Sequence, residues 1–239
     1  MGQNWNMPKT PLRITTASEM RELDRISEQE YGIDAMLLME NAGRAATQIL
    51  LEKLPHAGKE AEILVFAGKG NNAGDAFVVA RRLLCLERRV RVFHLDNGSR
   101  YHGATLKNFE ILKKMKARMT SLENAGELEE FFSTNSGPFI AIDGILGTGL
   151  KGRLEGIFFD VVELINQYVD EVVALDIPTG VSGESGEVRG TAVQRCSPSP
   201  SASRNWAISF RQEPPSEVSS SMSTSRFLPS SEKRGTSFS

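Results

Sequence analysis

Two aspartates, Asp143 and Asp176, each close a short apolar run and open a loop of glycines and small polar residues. The first loop is Asp143-Gly144-Ile145-Leu146-Gly147-Thr148-Gly149-Leu150-Lys151-Gly152-Arg153, and the second is Asp176-Ile177-Pro178-Thr179-Gly180-Val181-Ser182-Gly183. A third loop of this kind, Gly68-Lys69-Gly70-Asn71-Asn72-Ala73-Gly74-Asp75, follows the run Ile63-Leu64-Val65-Phe66-Ala67. Glycines let a backbone approach a phosphate closely, and a helix starting there adds unpaired N–H groups and a favourable dipole. One such loop is an ordinary turn, but three at strand ends point to a nucleotide-like ligand. An isolated Asp at a strand end commonly caps a helix or stabilises a turn; the other roles open to it are cation ligand and general base. Asn72, Asp143 and Thr179 offer amide, carboxylate and hydroxyl oxygens, the hard donor set of an alkali or alkaline-earth ion.

These loops need elements to hold them. Continuous apolar runs bounded by glycine read as strands buried on both faces of a parallel sheet. Ile63 to Ala67, Arg89 to Leu95, Phe139 to Asp143 and Glu171 to Ile177 have that form. Helical patterns alternate with them: Phe77 to Leu84, Ala104 to Met115 and Ile157 to Tyr168. Two helices precede the first strand. Thr16 to Glu30 has capping-box spacing from Thr16 to Glu19 and an apolar face of Met20, Leu23 and Ile26. Gly32 ends it, and a second helix rich in small residues runs through Met36 to Ile49. Alternating strands and helices predict a right-handed, doubly wound α/β fold up to about Gly190, with the loops converging on the carboxyl edge of the sheet.

Composition removes several classes. The chain has 239 residues and a net charge of −2, which argues against nucleic-acid binding by phosphate neutralisation. Cys85 and Cys196 form neither a disulfide framework nor metal spacing, and a reducing, cytoplasmic setting is expected. Met1 to Pro11 lack the apolar run of a signal peptide, and no stretch approaches the ~20 apolar residues of a membrane span. His56, His94 and His102 have no ligand spacing and read as core or surface residues. Motifs of serine hydrolases, zinc proteases and P-loop enzymes are absent. Ala73 stands where a dinucleotide fingerprint beginning at Gly68 needs its third glycine, which disfavours an ordinary hydride-transfer dehydrogenase.

The sequence resembles the YjeF N-terminal domain, the NAD(P)H-hydrate epimerase family. The matching segments are Thr16 to Met20, Leu38 to Gly43, Gly70 to Asp75, Asp143 to Gly149 and Asp176 to Gly180. The resemblance runs from about Ile14 to Ala192. It implies a Rossmann-like three-layer α/β/α sandwich with a mainly parallel central sheet, usually dimeric. It implies interconversion of the R and S forms of hydrated NADH and NADPH, which carry a hydroxyl at C6 of the nicotinamide ring. Asn71, Asn72, Ala73, Gly74 and Asp75 would then hold the ligand, with Gly147, Thr148, Gly149, Leu150, Lys151, Gly152 and Arg153 against its phosphates. Asn72, Asp143 and Thr179 would ligate potassium, and Asp176 would face ribose and ring as the acid/base group. Ala73 replaces a glycine common in this family and is compatible only with a negative φ. Ala76 stands where glycine is frequent, and Thr179 replaces serine.

Residues 1–193 thus read as one domain. From Gln194 to Ser239 the chain carries 15 serines and five of its ten prolines, the composition of a disordered tail. A shifted reading frame is the second explanation. Re-read two bases on, Ser203 to Ala207 permits P-K-L-G, with Leu and Gly forced by the code, and the codons of Arg195 to Ser203 permit an apolar, strand-like segment. The intact parent would then be an epimerase, potentially with a downstream dehydratase domain. Two other functions stand beside this one: a non-catalytic nucleotide-binding or protein-interaction module, and a methyltransferase-like domain. The last would need an acidic residue ending the second strand, which Asp96 weakly offers.

Overall fold

The computed structural model describes residues 17–96, 98–150 and 152–194, with the short segments 206–209 and 223–225. Helices α1 (Ala17–Gln29) and α2 (Ala35–Lys53) come first. Asp34 caps α2 by accepting the Met36 N–H at 2.7 Å, a signal that the apolar periodicity alone does not carry. The Thr16 cap expected for α1 lies outside the described residues.

Strand β1 (Glu62–Ala67) leads into α3 (Asn71–Cys85), β2 (Val90–His94) and α4 (Gly103–Lys114). Then follow β3 (Arg118–Ser121), α5 (Gly126–Thr134), β4 (Phe139–Gly144), α6 (Ile157–Tyr168) and β5 (Glu171–Leu175). Two short strands complete the sheet, β6 (Trp206–Ser209) and β7 (Ser223–Ser225). Strand order is β3-β2-β1-β4-β5-β6-β7, parallel throughout except for the β6–β7 pair. Winding outward from β1 in one direction and from β4 in the other puts the switch point between β1 and β4. Both β6 and β7 fall within the Ser/Pro-rich stretch, the remainder of which beyond Gln194 lies outside the described residues.

Alternation along β1 divides its side chains between two cores. Ile63, Val65 and Ala67 pack with Leu50 of α2, Phe77 and Leu83 of α3, and Phe109 and Leu112 of α4. Leu64 and Phe66 pack on the other side with Leu128 and Phe131 of α5 and Val161 and Ile165 of α6. The result is the expected three-layer sandwich. Small residues set the helix spacing, since a Cβ on Gly43 of α2 would collide with Val78 of α3.

Two expectations needed revision, and the condition set for Ala73 is met. The Gly68–Asp75 segment is not a loop over its whole length, because α3 begins at Asn71 with Gly70 as its N-cap. Ala73 is helical, without a positive φ, so the missing glycine costs nothing there. The pair β3–α5 was not foreseen: Arg-Met-Thr-Ser is an edge strand with almost no apolar signal.

Candidate functional site

The carboxyl ends of β1, β4 and β5 are tied to one another in series. Gly68 N–H donates to the Gly144 carbonyl at 3.1 Å, and a Cβ on Gly68 would fall on the Ile145 carbonyl oxygen. Only glycine permits this approach between the first two loops. Tyr101, buried under α4, donates its hydroxyl to the Gly68 carbonyl at 2.9 Å and braces the turn from below. The loop after β4 is joined to that after β5 by Leu146 N–H, which donates to Thr179 Oγ1 at 3.0 Å.

Asp143 sits inside this junction, fully buried near the end of β4. Its Oδ2 accepts the Thr179 N–H at 2.8 Å, and its Oδ1 accepts the Thr179 hydroxyl at 2.7 Å and the Ile145 N–H at 3.1 Å. Burial nonetheless outweighs these bonds and pushes its carboxyl up to about 6. Asn72 lies alongside: a Cβ on Gly144 would stand 3.0 Å from the Asn72 carbonyl and 2.5 Å from Ala76 Cβ. Both polar atoms of the Asn72 side chain are buried without a hydrogen-bond partner. An orphaned buried amide on the helix that packs against Gly144, the residue after Asp143, is an incomplete polar site. Its donors fit a hard monovalent or divalent cation, and among the described residues no cluster of three or more His, Cys, Asp or Glu offers a competing metal centre.

Asp176 stands one strand over, directly after β5, with φ of +68°, a left-handed conformation that Asp tolerates better than most residues. Its Oδ2 accepts the Thr148 N–H at 2.7 Å, and a Cβ on Gly147 would fall on that same oxygen. Burial raises its carboxyl above the usual range, opposed by the Thr148 backbone and hydroxyl. Asp75, on the first turns of α3, is pushed up to about 8, by burial first and then by the charges of Asp176 and of Asp24 on α1. A carboxylate whose charge raises a buried neighbour's affinity for a proton is an arrangement that acid/base chemistry uses.

Not every expected residue joins this cluster. Asn71 is exposed at the start of α3, while Ala73 is buried in the core. Gly74 makes room for Met39 and Thr105 rather than for a ligand. Leu150 packs against the α5–α6 core, and a Cβ on Gly149 would meet open space. Lys151 lies outside the described residues. Gly152 and Arg153 line a separate open recess of about 630 Å³ with Glu187, Val188, Arg189 and Gly190. Asp24 and Arg189 escaped sequence reasoning, because Asp24 lies within α1 and Arg189 lies beyond the Asp176–Gly183 loop. Asp96 is committed to its own turn, accepting from Gly98 N–H at 3.0 Å and Arg100 Nε at 2.5 Å. It is thus occupied within its own loop, which removes the support for a methyltransferase-like site. His94 is buried against Phe109, as a core histidine.

Fold and site together define a doubly wound α/β domain with a carboxylate-lined cluster at the switch point of its sheet. The chain belongs to the family described as YjeF-related protein N-terminus, whose model matches residues 13–203. It is 35% identical over 197 residues to a bifunctional NAD(P)H-hydrate repair enzyme, Nnr, of Moorella thermoacetica, covering 82% of this chain and 36% of that one. It is 33% identical over 184 residues to an NAD(P)H-hydrate epimerase of Rhodopirellula baltica, covering 77% and 72% respectively. The chain therefore spans about a third of the bifunctional relative's length. The crystal structure of yeast ynu0 superimposes with a TM-score of 0.70 at 23% identity, covering 85% of this chain and 90% of that one, which establishes the shared fold. Among the described residues no helix is long and apolar enough to cross a membrane.

Proposed function

We propose that this chain interconverts the R and S epimers of hydrated NADH and NADPH, with the hydrated ring held at the tips of β1, β4 and β5. Relatives named NAD(P)H-hydrate epimerase support the reaction class. The observation that carries it to this chain is Asp176, held in a left-handed conformation and pinned by Thr148, its carboxyl raised by burial and its charge acting on Asp75. C6 of the hydrate bears a hydroxyl and adjoins the ring nitrogen. A protonated carboxyl gives its proton to that hydroxyl as the nitrogen lone pair expels it as water. Water then adds to the opposite face of the planar cation and returns a proton to the carboxylate. Atoms and charge balance, and only the configuration at C6 changes. Asp176 is the group assigned this role, its carboxyl raised above the ordinary range by burial.

Asn72, Asp143 and Thr179 would hold a potassium ion, satisfying the orphaned amide oxygen and neutralising the buried carboxylate. An ion held by these residues would supply a fixed positive charge at the buried end of the site. The N–H groups of Asn71 and Asn72 at the start of α3 suit an anion. The reading includes a homodimer and a cytoplasmic setting. The bifunctional relatives support an intact parent with a downstream dehydratase. Residues 1–193 would be the epimerase domain, and a frame change near codon 193 would account for the Ser/Pro-rich remainder. The coding DNA decides that point: a shifted frame giving no apolar strand pattern ends the idea.

The test of function is an NMR epimerisation assay on purified hydrate, with and without potassium. Faster equilibration of R and S signals than in protein-free buffer is expected. Unchanged kinetics in both conditions would remove the enzymatic reading.

A further inference from the structure

The turn after β1 is drawn in three directions. Gly68 N–H holds it to the Gly144 carbonyl of β4. On the α3–α4 face of the sheet, Tyr101 donates its hydroxyl to the Gly68 carbonyl at 2.9 Å. Two residues on, the Gly70 carbonyl accepts the Ala73 N–H at 3.1 Å and lies 3.5 Å from the Thr105 hydroxyl of α4. Lys69, between them, reaches the opposite helical layer, with its Nζ 5.4 Å from the centre of the Phe158 ring on α6. Successive residues of an extended segment face opposite sides, so the turn is stretched across the sheet edge and enters α3 in one orientation. The N–H groups of Asn71 and Asn72, first in that helix, have no carbonyl partner within it.

Tyr101 is held as firmly as the turn above it. Its buried ring stands edge-on to Phe77 of α3, with 5.3 Å between centroids, and tilts against Phe109 of α4 at 5.0 Å. Upstream, the buried carboxylate of Asp96 ties down the segment that delivers it, Oδ1 accepting the N–H groups of Gly98 at 3.0 Å and Arg100 at 3.3 Å. Burial first, and then the Asp96 charge, push the phenol above its ordinary range, so the hydroxyl stays a proton donor. Among the described residues the Gly68 carbonyl has no other hydrogen-bond partner.

We propose that Tyr101 is a positioning residue for the ligand: through the Gly68 carbonyl it fixes the turn that aims the first N–H groups of α3 into the site. The inference rests on reading the carboxyl edge of the sheet as the site of a hydrated nucleotide. Tyr101 lies beneath the turn and acts only through it, at a distance from the assigned acid/base group on β5's tip. Its hydroxyl therefore contributes to holding the ligand in ground state and transition state alike.

The test compares wild type, Tyr101→Phe and, as a control, Leu128→Ala, which empties part of the core on the other side of the sheet. Hydrogen–deuterium exchange of the segment 68–72 should quicken about fivefold in Tyr101→Phe, the worth of one intramolecular hydrogen bond. In the NMR epimerisation assay KM for the hydrate should rise by about the same factor with kcat within about twofold, because binding lost equally from substrate and transition state moves only KM. Leu128→Ala should lower the melting temperature further than Tyr101→Phe while leaving both readouts near wild type. Wild-type exchange at 68–72 in Tyr101→Phe overturns the inference, as does a KM change no larger than in Leu128→Ala. Should wild type show no epimerisation, calorimetric affinity for NADP+ takes the place of KM. A loss of about fivefold in Tyr101→Phe then upholds the positioning role while the reaction falls, and an unchanged affinity overturns it.

Discussion

Thr148 donates its backbone N–H to Asp176 Oδ2 across 2.7 Å, joining the tips of β4 and β5 through the one residue whose carboxyl is assigned the chemistry. The bond fixes the direction of the carboxylate. It also restrains the proton affinity that burial raises.

Replacing Asp176 by Asn removes the exchangeable proton and keeps the shape. Turnover should fall by about 10²- to 10⁴-fold, the usual contribution of a positioned acid/base group. Affinity for NADP+ should hold within a few-fold. NMR kinetics and calorimetry separate the two, and unimpaired turnover would move the chemistry to another residue.

Gly147→Ala places a methyl group on Asp176 Oδ2. The carboxylate must rotate away and abandon Thr148, so epimerisation should drop about ten- to a hundredfold while stability changes by about 1 kcal/mol. A variant with normal rates would mean that the Thr148 contact has no bearing on turnover.

Asp75 makes stability depend on pH in an uncommon direction. Its folded pKa is raised to about 8 from an ordinary 3.8, by burial and by the charges of Asp176 and Asp24. The folded state therefore holds its proton more tightly than the unfolded state. Its contribution to stability is complete below about pH 4 and is lost as pH rises through 8. Asp75→Asn should melt at least about 2–4 °C above wild type at pH 8.5, a gap that closes toward pH 4. Thermal denaturation across pH measures this, and parallel curves for the two proteins would contradict it.

Exchanging sodium for potassium at constant ionic strength should raise the wild-type melting temperature, because a ligand bound only by the folded state stabilises it. In Asn72→Ala the response should vanish. Without potassium the same substitution should cost little stability, since the amide it removes makes no hydrogen bond. Identical melting of wild type in both salts would argue against a selective cation site.

Much of this arrangement is legible in residues 61–190, because buried parallel strands read as apolar runs and glycine loops mark their carboxyl ends. Asp143 and Thr179 could be paired in advance through their family motifs, and the structure joins them by two hydrogen bonds. Glycines 68 and 147 were visible as glycines, but what each one approaches depends on strand order. Strand β3 escaped because an edge strand needs only one covered face, so Arg118–Ser121 carries little hydrophobic pattern. Asp24 and Arg189 were silent for a related reason. Asp24 acts on Asp75 through tertiary proximity, and Arg189 bonds Leu154 and Gly180 in the same way, across separations that no local spacing encodes.

The excursion from Gly180 to Gly190 is closed at its neck. Val193 N–H donates to the Thr179 carbonyl at 2.8 Å, and Asn166 of α6 clamps both sides of that contact through the Ala192 carbonyl and the Gln194 N–H. Strain applied to the chain beyond Gln194 is thus delivered to the backbone of a residue that bonds Asp143, whereas the exposed tip at Glu184–Gly186 is bonded only within its own loop. A protease nick or peptide insertion at that tip should be tolerated. Pulling the chain, shortening it or fusing cargo at the neck should register at the Asp143–Thr179 junction.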